Sequence, residues 1–462
     1  MKISVIGTGY VGLVTGTCLA EIGNDITCVD KDHKKIENLK NGILPIYEAH
    51  LEDMLIRNIG ENRLHFTTSV EDAVRHATII FIAVGTPSHE NGDIDMSQVD
   101  EVAGEIGKSL DAYKIIVNKS TVPVGSVKRV AEIIQRHLKR EVEFDVISNP
   151  EFLREGSAVL DTFQGDRIVI GSTSKKATKI LHDLYRPLKQ KIFTTDPESA
   201  ELIKYASNAF LATKISFINE IANICEKTGA NVNEVAKGMG LDKRIGEKFL
   251  NAGIGFGGAC FPKDVKGLIK IGEKLNYDFR IIRETLQVNE EQKMKPIMIL
   301  DNLFPDLRGV QITVLGLTFK PDTDDIREAP SLDIINELHK RGAKIKAYDP
   351  IAIENAKRVL KLPIHYFHEA YDAIAGSDAV LLLTEWKEFK ELNVRKIRSL
   401  MNRRVFIDGR NIFEAKAMRA KGFEYYGIGI DNCQFTAICS IEERMIPIEN
   451  QKSHHTCGRA WN

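Results

Sequence analysis

Seven cysteines in 462 residues, Cys18, Cys28, Cys225, Cys260, Cys433, Cys439 and Cys457, form no CxxC pair and no Cys/His spacing of the metal-binding kind. That argues against a zinc site or a disulfide framework and for a reducing compartment. Net charge is as scarce: 63 basic against 64 acidic side chains leave a formal charge of -1. Such a chain has no general attraction to nucleic acid or to anionic membranes. No run of about 18 uninterrupted apolar residues is present to span a bilayer. The apolar opening from Met1 to Ala20 resembles a leader peptide, yet Gly7, Gly9, Gly12 and Gly16 interrupt it and a strand pattern follows directly. A nucleotide-binding opening accounts for every one of those glycines, so we expect a cytoplasmic protein. Hydrophobic residues at 43% and charged residues at 27% are the balance of a soluble globular protein. The length calls for two or three domains.

Residues 2–6 read as a short strand, 10–22 as a helix ended by Gly23, and 25–30 as the next strand. Strand, glycine loop, helix, strand is a βαβ unit. Further strand patterns at 77–84, 114–118, 145–148 and 167–171 predict a doubly wound parallel sheet. From Glu198 the period changes: Glu201, Lys204, Tyr205, Asn208, Leu211 and Ile215 recur at helical spacing without a proline. A long helix is expected, then more helix at 232–239 and 263–275. The α/β rhythm returns with strands at 310–315, 344–348, 379–383 and 405–407, a second Rossmann-like sheet without the triple-glycine loop. The expected division is therefore 1–196, a helical middle 197–305, a second sheet domain 306–443, and a polar, disordered tail 444–462.

Gly7-Thr8-Gly9-Tyr10-Val11-Gly12 follows a strand and opens a helix, and Asp30 closes the next strand. The glycines admit a pyrophosphate to the helix N-terminus, and the acid accepts a ribose diol while repelling a 2′-phosphate, which favours NAD over NADP. Lys35, beside Lys31 and Lys34, either touches the ribose or joins a solvated face. Thr86 and the pair Ser120 and Thr121 follow strands at the edge where such sheets bind ligands, although turn chemistry alone would select them too. Asn149-Pro150-Glu151 suits a helix cap equally with a role for Glu151 and Glu155 on one helix face. Lys204 and Asn208 share a helix face among small neighbours, which a solvated side would not require. Finally, the glycine-rich run 253–258 leads to Cys260, with Lys263 and Asp264 within four residues. Glycines permit close approach of a ligand, and a nearby ammonium lowers a thiol's pKa.

Together these motifs resemble the UDP-glucose/GDP-mannose dehydrogenase family, from residue 1 to about 430. The carrying segments include 7–12 with Asp30, 120–125, 149–156, Lys204 to Asn208, 256–264, 316–327 and Asp408-Gly409-Arg410. The resemblance implies two successive NAD-dependent oxidations of a sugar C6 alcohol to a carboxylate. UDP-glucose is the expected substrate and GDP-mannose the alternative, since Asp166-Arg167 and Phe261 fit the UDP-glucose branch better. It implies Cys260 as nucleophile, Lys204 as oxyanion stabiliser, Asp264 as base through a water near Thr121, and Glu151 as activator of the hydrolytic water. It places Phe152, Leu153 and Glu155 along the sugar nucleotide and Asn208, Phe249, Gly257 and Phe261 beside the sugar. Lys320 and Arg410 are expected at the diphosphate, with Lys263 and Arg327 toward NAD. Arg244 is expected in a neighbouring subunit's site, within a homodimer built on the long helix. Ala259, Glu48-Ala49-His50 and Ile430 depart from the family's usual residues. A non-catalytic NAD-binding scaffold is the rival class, and it would not need Cys260, Lys204 and Asp264 together.

Overall fold

The computed structural model describes residues 1–89 and 91–430. The expected tail, with Cys457, lies outside the described residues, as do Cys433 and Cys439. Eight strands form the first sheet: β1 (Lys2–Ile6), β2 (Asp25–Val29), β3 (Leu64–Thr67), β4 (Ile79–Ile82), β5 (Lys114–Asn118), β6 (Phe144–Ser148), β7 (Ile168–Gly171) and β8 (Ile192–Thr195). Their order is β3-β2-β1-β4-β5-β6-β7-β8, and the first six reproduce the order of a dinucleotide-binding sheet. Ile79, Ile80, Phe81 and Ile82 are all buried, because helices cover both faces of a parallel sheet and leave no polar side.

β3 and β8 escaped the sequence reading. Both are four-residue edge elements with alternating or half-exposed side chains, so no apolar run marks them. The sheet is also not parallel throughout. β6 and β7 are antiparallel, joined only at Ser148 and Gly171. Residues 149–157 run out irregularly from the end of β6, and only Ala158–Gln164 is helical before β7. There is no full crossover helix to return the chain in the parallel sense.

This junction places the long helix. Pro197–Thr228 spans 32 residues, about 48 Å at the usual rise. Asp196 caps it by accepting from the Ser199 N–H at 2.7 Å, Pro197 fills its first turn, and Gly229 ends it at φ 75°. A Cβ on Gly171 would lie 2.4 Å from that of Ala200. The start of the long helix therefore rests directly on the end of β7, beside the end of β6.

Helices Val232–Gly240, Phe261–Lys274, Arg280–Lys293 and Lys295–Leu303 complete the middle of the chain. A second sheet follows: β9 (Gln311–Leu315), β10 (Lys344–Tyr348), β11 (Ile364–Tyr366), β12 (Ala379–Leu382), β13 (Val405–Asp408) and β14 (Glu424–Gly427). Its order, β11-β10-β9-β12-β13-β14, repeats the winding of the first six strands and is parallel throughout. In both sheets a positive-φ glycine ends the first strand and an acid ends the second. Gly7 and Thr8 donate to Val29 O and Asp30; Gly316 and Leu317 donate to Tyr348 O and Asp349.

Gly171→Ala tests the junction. The added methyl meets Ala200 Cβ, Asp196 O and Pro197 Cα below 3.0 Å, and overpacking of this kind costs about 1–3 kcal/mol. A urea midpoint unchanged from that of the unaltered chain would refute the assigned packing.

Candidate active site

Of the three loop glycines, two are explained by the protein itself. A Cβ on Gly12 would lie 1.9 Å from Gly7 O, and Gly7, at φ +102°, would strike Ala83 O. Gly9 is different: nothing lies within 4 Å of its missing Cβ, and as N-cap of the helix Tyr10–Glu21 it has no side chain to cap the first-turn N–H groups. That open space belongs to a cavity of about 610 Å³ lined by Gly7, Gly9, Asp30, Lys35, Val84 and Gly85. An extended anion fits there on the helix N-terminus. Asp30 accepts from the Thr8 N–H, the Thr8 hydroxyl and Lys35 Nζ at 3.1, 2.7 and 2.8 Å. Burial works against its charge, but Lys35 and Thr8 outweigh it and hold the carboxyl down at about 2. Lys35 thus sits in the groove rather than on a solvated face. Val11 is the half-buried residue between Tyr10 and Gly12 in the first turn. The Thr86 hydroxyl donates to Thr121 O at 2.8 Å and that of Ser120 to Val84 O at 2.7 Å, so these side chains tie the two loops at the groove's rim together.

Across the ends of β4 to β6 lies the second part of the site. Lys204 Nζ meets Glu151 Oε1 at 2.7 Å, with side-chain exposures of 4% and 5%. The second Glu151 oxygen accepts from the Leu153 N–H at 2.6 Å. Burial opposes both charges, yet each wins through its partner. Glu151 is held low by Lys204, and Lys204 is held high by Glu151, Asp264 and Cys260. One turn on, Asn208 Nδ2 donates to Asp264 Oδ2 at 2.6 Å, and Lys263 Nζ meets Asp264 Oδ1 at 2.6 Å.

Cys260 precedes the first turn of the helix Phe261–Lys274, its carbonyl accepting from the Asp264 N–H. The sequence reading expected a nearby lysine to lower the thiol's pKa. Instead burial, aided by Glu151, pushes it up to about 12 against the pull of Lys204. The adjacent Lys263 is engaged by Asp264. The glycine run before the cysteine also differs from expectation. The place of a Cβ at Gly253 is filled by Gly409 O, that at Gly257 by Glu328 O at 2.1 Å, and that at Gly258 by the Phe319 ring. These glycines admit the backbone and an aromatic ring of the C-terminal part of the chain.

Residues 149–155 are not helical, so Glu151 and Glu155 do not share a helix face and Asn149 is no cap. The Asn149 amide is fully buried and donates to Val169 O at 2.7 Å; its oxygen accepts from Tyr185 and Lys119. The capping signature failed because these three tertiary bonds replace the local one. Glu155 turns toward the C-terminal sheet, where Lys320 donates to its carbonyl, and Thr323 and Arg327 approach its carboxylate at 3.4 and 3.3 Å. The Phe152 ring lies 3.9 Å below the Arg167 guanidinium. Phe261 packs against Phe249 and Phe256. Arg410 donates to Leu383 O and Gly255 O, leaving Nη2 buried without a hydrogen bond among the described residues. Arg244 is 90% exposed on a turn held by Asp242.

Three participants were missed. Lys119, directly after β5, reaches Asn149 at 3.1 Å, and burial pulls its pKa down to about 8; the signal was a lysine set two residues beyond the apolar run 115–117. Asn289 satisfies both backbone groups of Phe256 from another helix, and buried Glu201 accepts from the Gly125 and Val127 N–H groups. Nothing local in the sequence marks those two.

A dinucleotide groove beside a half-buried thiol, a buried ion pair and an amide-bound carboxylate defines an oxidoreductase with two doubly wound sheets. Comparison with known proteins gives the family. The family models for the NAD-binding, central and UDP-binding domains of the UDP-glucose/GDP-mannose dehydrogenases match residues 1–189, 198–291 and 313–415. The chain belongs to this family, and NAD is its cofactor. It is 52% identical to UDP-glucose 6-dehydrogenase TuaD of Bacillus subtilis over 93% of both chains. It is 44% identical to a UDP-glucose 6-dehydrogenase of Pseudomonas aeruginosa over 93% of this chain and 97% of that one. The solved UDP-glucose dehydrogenase of Pyrobaculum islandicum superposes with a TM-score of 0.87 at 38% identity, over 93% of this chain and 97% of that one.

The raised thiol pKa has a direct test. Without ligands, alkylation of Cys260 by iodoacetamide at pH 8 should be about a thousand times slower than that of a free cysteine thiol. The rate, followed on the Cys260 peptide by mass spectrometry, should still be climbing tenfold per pH unit at pH 10. A plateau near pH 8 would refute the assignment.

Proposed function

We propose that the chain oxidises UDP-glucose to UDP-glucuronate in two steps, the carbon passing through a covalent adduct with Cys260. The observation that carries this reading is the meeting of the half-buried Cys260 with the buried Lys204–Glu151 and Asn208–Asp264 in one cluster. The hydride acceptor in both oxidations is NAD, as the family's cofactor. Asp264, through a water near Thr121, takes the C6 hydroxyl proton as hydride leaves. The Cys260 sulfur then adds to the aldehyde carbon, and its proton passes to the aldehyde oxygen. Lys204 faces that oxygen and stabilises the charge that develops on it. A second hydride loss from that carbon, with the hydroxyl proton passing to water, turns the thiohemiacetal into a thioester. Glu151 removes a proton from water, the water oxygen adds to the carbonyl, and the C–S bond breaks to release carboxylate and restore the thiol. When Lys204 turns to the substrate oxygen, Glu151 loses its strongest stabilising charge and becomes a better base.

Arg410, with one guanidinium nitrogen without a hydrogen bond among the described residues, and Lys320 suit the diphosphate. Phe152, Leu153, Glu155, Phe249, Gly257 and Phe261 border the sugar nucleotide, and Lys263 and Arg327 the dinucleotide. The division of the chain near residues 196 and 305 goes with this reading. So does a homodimer. Phe210, Phe217 and Ile224 lie seven residues apart on the long helix and are 66%, 45% and 55% exposed, one unpaired apolar stripe. A partner against it would bring the exposed Arg244 turn toward a second site.

Side-by-side assays of NADH release with UDP-glucose, GDP-mannose and UDP-galactose test the substrate, and no turnover of UDP-glucose sinks the reading. Cys260→Ser should lower net turnover by about a thousandfold or more with NAD affinity within about threefold, measured by calorimetry. Unchanged turnover removes the nucleophile assignment. Phe217→Asp should shift the sedimentation coefficient to that of a monomer; an unchanged dimer would move the interface elsewhere.

A further inference from the structure

Segment 151–157 touches the first sheet's glycine-loop helix, the long helix and the C-terminal part of the chain. Glu151 pairs with the long helix, and Glu155 bonds Lys320, Thr323 and Arg327 of the C-terminal part. Gly156 holds φ +80° with Asp322 O 2.2 Å from the position of a Cβ, so no other residue fits there without displacing backbone. Its N–H donates at 2.7 Å to both the Tyr10 hydroxyl and Glu48 Oε2. Glu48 is buried, accepts from the Tyr10 hydroxyl and from the Val159 N–H, and makes no ion pair among the described residues. Tyr10 is the first residue of the helix whose N-terminus Gly9 opens to the dinucleotide.

We infer that Tyr10 and Glu48 are positioning residues that couple dinucleotide occupancy of the glycine loop to the placement of the segment 151–157. An anion drawn to the N–H groups of the first turn fixes Tyr10. The hydroxyl of Tyr10 and the carboxylate of Glu48 then hold the Gly156 N–H, and with it Glu151 and Glu155. By linkage the effect is reciprocal, so substrate on the segment tightens the dinucleotide by the same factor. The substrate half of this coupling rests on the UDP-glucose reading above; the dinucleotide half does not.

Amide hydrogen exchange of peptides covering 151–157, with and without saturating NAD, is the first test. NAD should slow exchange of the Gly156 N–H about fivefold or more in the unaltered protein, and Tyr10→Phe and Glu48→Gln should each abolish the slowing. Tyr10→Phe keeps the backbone N–H, so its NAD affinity should stay within about threefold. It removes a single oxygen, and it carries the test should Glu48→Gln fold poorly. Calorimetric titration of NAD and UDP-glucose, alone and together, should give a coupling factor of about 5 to 150 that falls toward one in the variants. Exchange at Gly156 unmoved by NAD, or slowed equally in Tyr10→Phe, would overturn the proposal. Absence of UDP-glucose binding would remove the substrate reading alone, since the exchange measurement still decides the latch.

Discussion

The buried pair of Lys204 and Glu151 is the constraint on which the site depends. Removing an ammonium and a carboxylate from water costs several kcal/mol for each ion, and only good geometry with further hydrogen bonds offsets it. The sequence supplies both. Glu151 also accepts from the Leu153 N–H, and Lys119 adds a second positive charge nearby. The pair is possible because β6 and β7 meet end to end, which sets the first turns of the long helix beside the end of β6. A crossover in the parallel sense would have carried the helix away from residue 151. The irregular junction is thus the element of the fold closest to the chemistry.

The two sheets share a winding and a turn, and differ in what the turn is left free to do. After β1 the loop carries Gly9, whose open side faces a cavity, and the acid Asp30 is half-buried at the rim. After β9 the corresponding acid, Asp349, is fully buried and accepts from Leu317, Ile351, Ala352 and the Trp386 indole. Every acceptor position of Asp349 serves the protein, so this turn closes on itself. A glycine and an acid therefore signal the turn, while an unpacked second glycine signals a ligand.

Much of the architecture was legible: β5, buried on both faces, falls at the expected residues as an apolar run, and β10 falls at its expected residues through alternation instead. The long helix was equally plain, from helical spacing that starts near Glu198 and runs on without a proline. Edge strands β3, β8, β11 and β14 went unseen because each is only three or four residues long; β8 and β11 bury no side chain fully, β3 buries two, and β14, though largely buried, is too short to mark itself. Within the site, Lys204, Asn208, Cys260 and Asp264 were found because local spacing places them together. The environment of Asn149 was not, since Tyr185, Lys119 and Val169 reach it from separate elements. The same limit explains the glycine run at 253–258: sequence shows that side chains are absent, and only the fold shows that Glu328, Phe319 and Gly409 occupy their place.

The resting thiol near 12 and a nucleophilic role for Cys260 are compatible once the charges of the cluster are counted. Lys119, Lys204 and Lys263 face Glu151 and Asp264, three cations against two anions, with Lys119 able to release its proton near pH 8. A thiolate held beside an intact Lys204–Glu151 pair meets an adjacent carboxylate as well as the ammonium, which is why burial wins. If substrate oxygen draws Lys204 away from Glu151, the ammonium becomes free to stabilise charge on oxygen or sulfur. The negative charge then forms where a cation has just been uncovered. On the proposed mechanism reactivity belongs to the occupied site, where an aldehyde carbon beside Cys260 would meet a sulfur whose resting thiol is held protonated by its surroundings.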